Sequence, residues 1–581
     1  MNVKINPLPK KAISHSFSLA ILAAILVTIY SNSLHVQWQF DDEPNILRNQ
    51  ALHLDSLSVE TMYHSLFANK GRGDKLFRPL PNLTFALNWY MGKQDPFGYH
   101  VVNMVLHITT AWALYLMCHA ILSQGQPKKT EAENGRRIIA LLAALLWASN
   151  PIQTQAVTYV VQRMAIMAAL FYLLGMLCYL KARTTHVACK RWLFFSMGFA
   201  CFLFGLGSKE NAVLLPFSLL LLEWIVLQKA RIGFIRKHQA WVGLVGGVLV
   251  LSMALFFAEG TFLDYIRGKY ASRPFTMEER LLTQPRIVLH YLSQIVVPLP
   301  QRLSIAHDVA LSDSIWNPWQ TLPAMLIVFS SIAAALLFSR RMPLVSLAAL
   351  FFFVNHAVES SIWPLELVYE HRNYLPSLFL FLPFSAGIYG WIKRLRHRNN
   401  WLPATITIAL ALLVVFFCAG TYHRNKAWAT EVTLWEDAVH KAPLNYRANF
   451  RFALSLAWSD QPTEAQYNQA LEAFNRCLTL TSQNVRESRL NRANIKGNIG
   501  SIHFRKGEYQ TAVAHFQDAL ELYPGFGRIR YDMIQAMLKS GKIEEARVQS
   551  DILVDQYPGN PDYRRLRDVA RFWKNKENHV N

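Results

Sequence analysis

Through the first 420 positions, apolar residues gather into long stretches and polar residues fill the gaps between them. A helix needs about 20 apolar residues, each rising 1.5 Å, to cross the hydrocarbon core of a bilayer. Eleven stretches meet or approach that length, near 13–34, 100–122, 137–150, 162–182, 192–207, 211–228, 241–258, 321–338, 343–358, 375–391 and 402–420. The stretch at 284–300 carries Arg286, His290 and three prolines, and reads as re-entrant or interfacial. The first stretch is too long for a signal peptide and lacks a small-residue cleavage site.

After Gly420 the pattern shortens to amphipathic pairs with a period of 34 residues. Gly507 returns as Gly541, Ala512 as Ala546, and Tyr523-Pro524 as Tyr557-Pro558. One unit reads Ile499-Gly500, Gly507, Ala512, Phe516, Ala519, Pro524, which matches the tetratricopeptide (TPR) pattern of paired helices. Ala470 and Phe474 mark an earlier degenerate unit, and Trp435, Ala438 and Pro443 a leading half-unit. The tail from Tyr563 to Trp573 is suited to a solvated cap. The chain therefore reads as all-α: a polytopic membrane bundle over 1–420, then a TPR solenoid over 421–581. Such a solenoid offers a concave surface to a peptide or protein; a self-packed scaffold without a ligand is the plainer alternative.

Composition agrees with a membrane part and a soluble part. The 581 residues are 52% hydrophobic and 17% charged, against about a quarter charged in a typical soluble domain. The net charge of +21 is uneven, with +16 before Thr421 and +5 after it. The excess sits in short loops: Lys10-Lys11, Lys128-Lys129 with Arg136-Arg137, Lys181 to Arg191, Lys229 to Lys237, Arg340-Arg341, and Lys393 to Arg398. By the positive-inside rule these loops are cytoplasmic. Eleven crossings then leave the TPR part outside. This is membrane orientation, not a nucleic-acid footprint, and no nucleic-acid partner is expected. The six cysteines show no metal or redox spacing, and there is no Walker loop, GxGxxG or HExxH. Nucleotide chemistry has no support, and no nucleotide cofactor is expected.

The opposite loops collect the acids and several other polar groups, and ionisable groups near a bilayer are costly. The loop over 35–99 holds Phe40-Asp41-Asp42-Glu43-Pro44 with Ile46 and Asn49. Adjacent carboxylates can act as a base and as ligands for a hard divalent cation; an N-cap followed by Pro44 explains one Asp equally well. Arg78, in Phe77-Arg78-Pro79-Leu80, could clamp phosphate through its forked donors. His100, Asn103 and His107 share one helix face, where they contact substrate or satisfy one another. Asn150-Pro151, Gln153, Gln155 and Arg163 stand at an outer span end. So do Lys209 and Glu210, as substrate contacts or as an ion pair. His307-Asp308 lies in an outer loop. Glu370 and Arg372, within Tyr369 to Ser377, read as a lid over a polar head group or as an interface anchor.

In order and spacing these residues resemble the transmembrane and TPR-containing O-mannosyltransferase-like proteins of the GT-C glycosyltransferase superfamily. The resemblance rests on Phe40-Asp41-Asp42 with Asn49, Arg78-Pro79-Leu80, His100 with Asn103 and His107, and Ser208-Lys209-Glu210. It continues through Leu303-Ser304 with His307-Asp308, Glu370 with Arg372, Tyr374 to Ser377, and the TPR units. The chain departs from the family at Asn150 and Gln155, where His and Glu are usual, and at Gln162 and Ala165, where Gly and an acid are usual.

The resemblance implies a GT-C-like catalytic domain over 1–420 and a polyprenyl-phosphate-linked sugar as donor. Asp41 would be the base, and Asp42 would assist it or join it in holding Mg or Mn. Arg78, Arg163, Lys209 and Arg372 would stabilise the leaving phosphate, with His100, Asn103, Glu210, His307 and Glu370 also in the substrate site. An acceptor protein would be held by the TPR units. The expected location is a bacterial inner membrane, in contact with its lipid, with the TPR part in the periplasm. A non-catalytic TPR scaffold for envelope proteins and a lipid-diphosphate glycan ligase or polymerase share this topology.

Overall fold

The computed structural model describes residues 14–68, 76–124, 130–231, 261–271, 273–396, 401–482 and 489–580. Every regular element among them is helical. Six helical stretches are long and apolar enough to cross a membrane: His15–Ser33, Phe97–Leu122, Val160–Thr184, Ala188–Leu206, Glu210–Leu227 and Trp401–Ala427. Thr321–Leu337 and Pro343–His356 are apolar but shorter. The span expected at 241–258 lies outside the described residues, as do Lys10-Lys11 and Lys128-Lys129. The segment expected to be re-entrant is part of one continuous amphipathic helix, Met277–Val296, which runs through Pro285. Its start is fixed by a capping box between Thr276 and Glu279, and its buried face carries Arg280, Thr283, Gln284 and Gln294.

The chain divides into two compact units, Met1–Ile305 with Val309–Thr433, and Ala306–Asp308 with Leu434–Asn581. The core of the first unit is built from Leu22, Leu26, Leu114, Ala144, Trp147, Leu173, Phe351 and Phe379, all buried. Close helix approach there uses small residues. A Cβ added at Gly175 would lie 3.0 Å from Leu215, and one at Gly198 3.5 Å from Cys178 Cβ, the packing expected where lipid gives no hydrophobic drive between helices. Trp147 anchors the core through Nε1, which donates to Ser377 Oγ at 3.0 Å.

A satellite core of Ile46, Leu52, Leu54, Phe85, Ala86, Tyr99 and Val160 lies under the loop after the first helix. Two short helices frame that loop. Val59–Ser65 starts on a Ser58/Thr61 capping box. Pro79–Gly92 starts with proline in its first turn, where its missing N–H costs nothing.

The second unit is a run of helix pairs. Gly507 and Gly541, 34 positions apart, both take left-handed φ (+81° and +80°). Each ends its helix with the same two bonds: Gly507 N to Phe504 O and Glu508 N to His503 O, then Gly541 N to Leu538 O and Lys542 N to Met537 O. Gly500 admits the Phe516 ring, which a Cβ would meet at 2.8 Å. Phe474 and Trp435 are buried in the earlier units, as the repeat pattern requires.

Candidate functional site

The aspartate pair stands on a strained turn. Phe40 holds φ +45°, in the left-handed region, at a cost of order 1–3 kcal/mol for a bulky side chain. The turn is fastened on both sides: Asp41 N donates to Tyr159 Oη at 2.9 Å, and Asp42 N to Gln39 O at 2.8 Å. Asp42 is 1% exposed. Its Oδ1 accepts from Val161 N at 2.7 Å and its Oδ2 from Gln39 N at 3.1 Å. Burial pushes its pKa up to about 8, against the pull of those two amides. Asp41 is only partly buried. Two residues that look equivalent in sequence thus divide: Asp42 pins the turn to the Tyr159–Val161 segment, and Asp41 is the less buried of the two.

Two ion-paired groups gather other predicted site residues. Arg78, also left-handed at φ +51°, grips Glu210 with both arms, Nε to Oε1 at 3.2 Å and Nη2 to Oε2 at 2.9 Å. Lys209 Nζ lies 2.5 Å from Glu359 Oε1, and Arg372 Nε 3.7 Å from Glu359 Oε2. All three residues of this second group are at most 7% exposed. Burial alone would raise the Glu359 pKa, but Lys209 and Arg372 hold it below the usual carboxylate value. His371 lies within electrostatic reach of Lys209, Arg372 and Arg78; burial first, then these cations, depress its pKa well below the ordinary imidazole value. Across the two groups, cations outnumber carboxylates three to two. Glu370 is fully buried and accepts from Ser304 N at 2.5 Å.

A third set forms a bracket inside the helices. Arg163 is fully buried and donates to Asn103 Oδ1 (2.8 Å), Thr84 Oγ1 (3.1 Å) and Tyr99 O (3.1 Å). Its guanidinium lies 4.5 Å from the Phe85 ring centre, a cation–π contact. Asn103 Nδ2 donates to Val157 O and Val160 O, and His100 Nε2 to Val36 O at 2.9 Å. His107 joins Tyr374 Oη and Ala148 O. These bonds tie the helix Phe97–Leu122 to the segment carrying Tyr159 and Val161, and so to Asp42. His307 groups with the second unit, where its carbonyl accepts from Asn445 Nδ2.

The positions where the chain departs from the resembled family have structural work. Asn150 Oδ1 caps Ile152 N, while its Nδ2 donates to Ile295 O. Gln155 Oε1 accepts from His371 N at 2.8 Å, which a carboxylate would also do. Ala165 is buried.

Beside the pair opens a cavity of about 240 Å³, lined by Asn45, Asn49, Ala68, Phe77, Arg78, Pro81, Asn82, Phe85, Val161 and Met164. Val161 links it directly to Asp42. A hard cation such as Mg needs only one or two carboxylates beside water and substrate phosphate, and of the two aspartates Asp41 is the less buried. Asp42 is closed off, with a backbone N–H on each oxygen, and Asp41 alone is partly open. Among the described residues the metal-ligating triplet whose donor atoms converge is His15, His119 and Glu133. There Glu133 is already paired with Arg136 and Arg137.

The sequence pattern did not single out Asn45, Asn82, Tyr159 or the role of Glu359. Asn45 and Asn82 sit at i and i+4 spacing from Asp41 and Arg78, where a side chain on the same turn returns to its neighbour. Tyr159 carried no such signal.

Comparison with known proteins bears on the whole assembly. The tetratricopeptide-repeat family profiles match residues 464–525 and 503–568. A protein O-mannosyl-transferase of Caenorhabditis elegans is 22% identical over 459 residues, 78% of this chain and 61% of that protein. A protein O-mannosyl-transferase of Mus musculus (TMTC4) is 24% identical over 507 residues, 77% of this chain and 64% of that protein. Another, from Xenopus laevis (tmtc2), is 33% identical over 172 residues, 28% of this chain and 18% of that protein. These alignments span from under a fifth to under two thirds of the relatives' own lengths. The chain is a tetratricopeptide-repeat protein with several membrane-length apolar helices, similar over three quarters of its length to protein O-mannosyl-transferases.

Proposed function

We propose that the protein is a membrane glycosyltransferase of the GT-C type, moving a sugar from a polyprenyl-phosphate donor to a hydroxyl of an acceptor protein. The observation that carries this reading is the division of the aspartate pair. Asp42 is locked into the fold and Asp41 is only partly buried, beside a cavity that Arg78 lines. The O-mannosyl-transferase names of the relatives point the same way and favour mannose as the sugar.

In this reading Asp41 takes the proton of a Ser or Thr hydroxyl as that oxygen bonds to the anomeric carbon. The bond from that carbon to the phosphate oxygen breaks, and the electron pair leaves with the lipid phosphate. A single displacement inverts the anomeric centre. Lys209, Arg372 and Arg78 are held in place by Glu359 and Glu210, and their excess positive charge meets the charge growing on the phosphate. Preorganised charges of this kind act most strongly where water is excluded.

We propose that the site faces the outer side of a bacterial inner membrane, with the TPR part in the periplasm holding the acceptor; the Lys/Arg bias of the loops supports the orientation. Two experiments test this. Asp41→Asn, with folding intact, abolishes transfer of labelled sugar from a prenyl phosphate to protein; retained transfer refutes the role of Asp41. A cysteine placed near Asn581 is labelled by an impermeant thiol reagent in whole spheroplasts; labelling only after lysis refutes the orientation.

A further inference from the structure

The cavity beside the aspartates has a chemistry of its own. Three asparagines line it, and in each the amide nitrogen is already committed. Asn45 Nδ2 donates to Asp41 O at 2.7 Å. Asn49 Nδ2 donates to Ala68 O at 3.1 Å and Asn45 O at 3.2 Å. Asn82 Nδ2 donates to Phe77 O at 3.3 Å and Ala68 O at 3.5 Å. These bonds fix the three side chains. Their Oδ1 atoms accept no hydrogen bond from any described residue. The cavity therefore presents up to three unfilled acceptors, with the apolar rings of Phe77 and Phe85 among its walls.

That inventory discriminates between ligands. A phosphate offers acceptor oxygens at neutral pH, which the amide oxygens repel, and the one cation on the wall, Arg78, already spends its donors on Glu210 and Met164. A serine or threonine hydroxyl fills one acceptor and leaves two. A sugar ring carries several hydroxyl donors and an apolar C–H face suited to an aromatic wall. A volume of about 240 Å³ is below the roughly 300–1,000 Å³ of pockets for drug-sized ligands, a size for one ring and not for an oligosaccharide.

Resting on the glycosyl-transfer reading above, we propose that this cavity is the sugar subsite of the donor, where Asn45, Asn49 and Asn82 accept from hydroxyls of a single pyranose. The sugar then lies next to Val161 and Asn45, two lining residues hydrogen-bonded to the aspartate pair, and its phosphate is left to Arg78 on the cavity wall and the cations beyond it. The asparagines are specificity residues, and Asp41 stays the base.

The test uses the full-length protein in detergent and measures binding of farnesyl phosphate and of farnesyl phosphate bearing mannose, glucose or N-acetylglucosamine. Wild type prefers one sugar-bearing ligand over the bare phosphate. Asn45→Ala and Asn82→Ala each cut that preference about 3- to 10-fold, the worth of one hydrogen bond, and leave farnesyl phosphate binding unchanged. Asn45 is on the exposed side of the cavity, so its variant keeps the test open should Asn82→Ala misfold. A preference unaltered in folded Asn45→Ala overturns the subsite, as does an equal loss for both ligands. Wild type that binds all ligands without preference also overturns the subsite while leaving the transferase reading in place. Wild type that binds none of them overturns both.

Discussion

Asp42→Asn and Asp41→Asn should separate scaffold from chemistry within two adjacent residues. Asparagine keeps the volume of Asp42 but exchanges one acceptor oxygen for an NH2. Both oxygens of Asp42 are occupied, by Val161 N at 2.7 Å and Gln39 N at 3.1 Å, so one buried N–H must face a donor. An unsatisfied buried group costs about 1–3 kcal/mol, and the strained Phe40 turn loses a fastening. The penalty also varies with pH. The folded chain holds the Asp42 proton up to about 8, because burial disfavours its charge, while the unfolded chain releases it near 3.8. The stability this contributes is complete below about pH 4 and is lost as pH rises towards 8. Asparagine does not titrate, so the gap between wild type and variant should narrow from pH 5 to pH 8. Asp41, only partly buried, should lose less stability than Asp42 on change to asparagine, yet lose transfer. Thermal unfolding of both variants in detergent, at several pH values and beside a transfer assay, reads each effect. An Asp42→Asn protein as stable as wild type at pH 5, or a gap that widens with pH, would refute the assignment.

Other outcomes follow from the same structure. Glu359→Ala leaves Lys209 and Arg372 buried without their carboxylate and should destabilise the chain by about 3–5 kcal/mol, seen as lost thermal stability; a neutral result would mean that the ion group is not buried. Gly507→Ala meets nothing within 4 Å but must hold φ +81°, so it should cost about 1–2 kcal/mol in chemical unfolding, with no change in the first unit. Gly500→Val, whose Cβ would lie 2.8 Å from Phe516, should disrupt its repeat far more and expose it to proteolysis.

The sequence made the helical architecture and the repeats legible because both depend on periodicity. Gly507 and Gly541 could be paired on spacing alone, and their matched φ values and end bonds show why that spacing is kept. The site was legible in part. Asp41, Asp42, Arg78, Lys209, Glu210 and Arg372 draw attention as charges beside apolar runs. Their partners do not. Tyr159 and Val161 meet the aspartates across more than a hundred residues of chain, and Glu359 meets Lys209 across a similar gap. No local pattern encodes such pairings. Nor does sequence spacing say which face of a polar helix is spoken for: His100 and Asn103 read as substrate contacts or as groups that satisfy one another, and the structure shows bonds from them and from Arg163 going to one another, to Thr84 and to the backbone. The continuous helix through Pro285 has a similar cause. Its capping box and buried polar face hold the helix together through the proline of a segment that read as re-entrant or interfacial.

The central claim is tested most directly by intact-mass comparison of extracytoplasmic proteins from cells with the gene, without it, and with Asp41→Asn in its place. A single sugar present on serine or threonine of some protein only in the first strain is the predicted result. Identical masses in all three strains, or a modification that persists with Asp41→Asn, would contradict it.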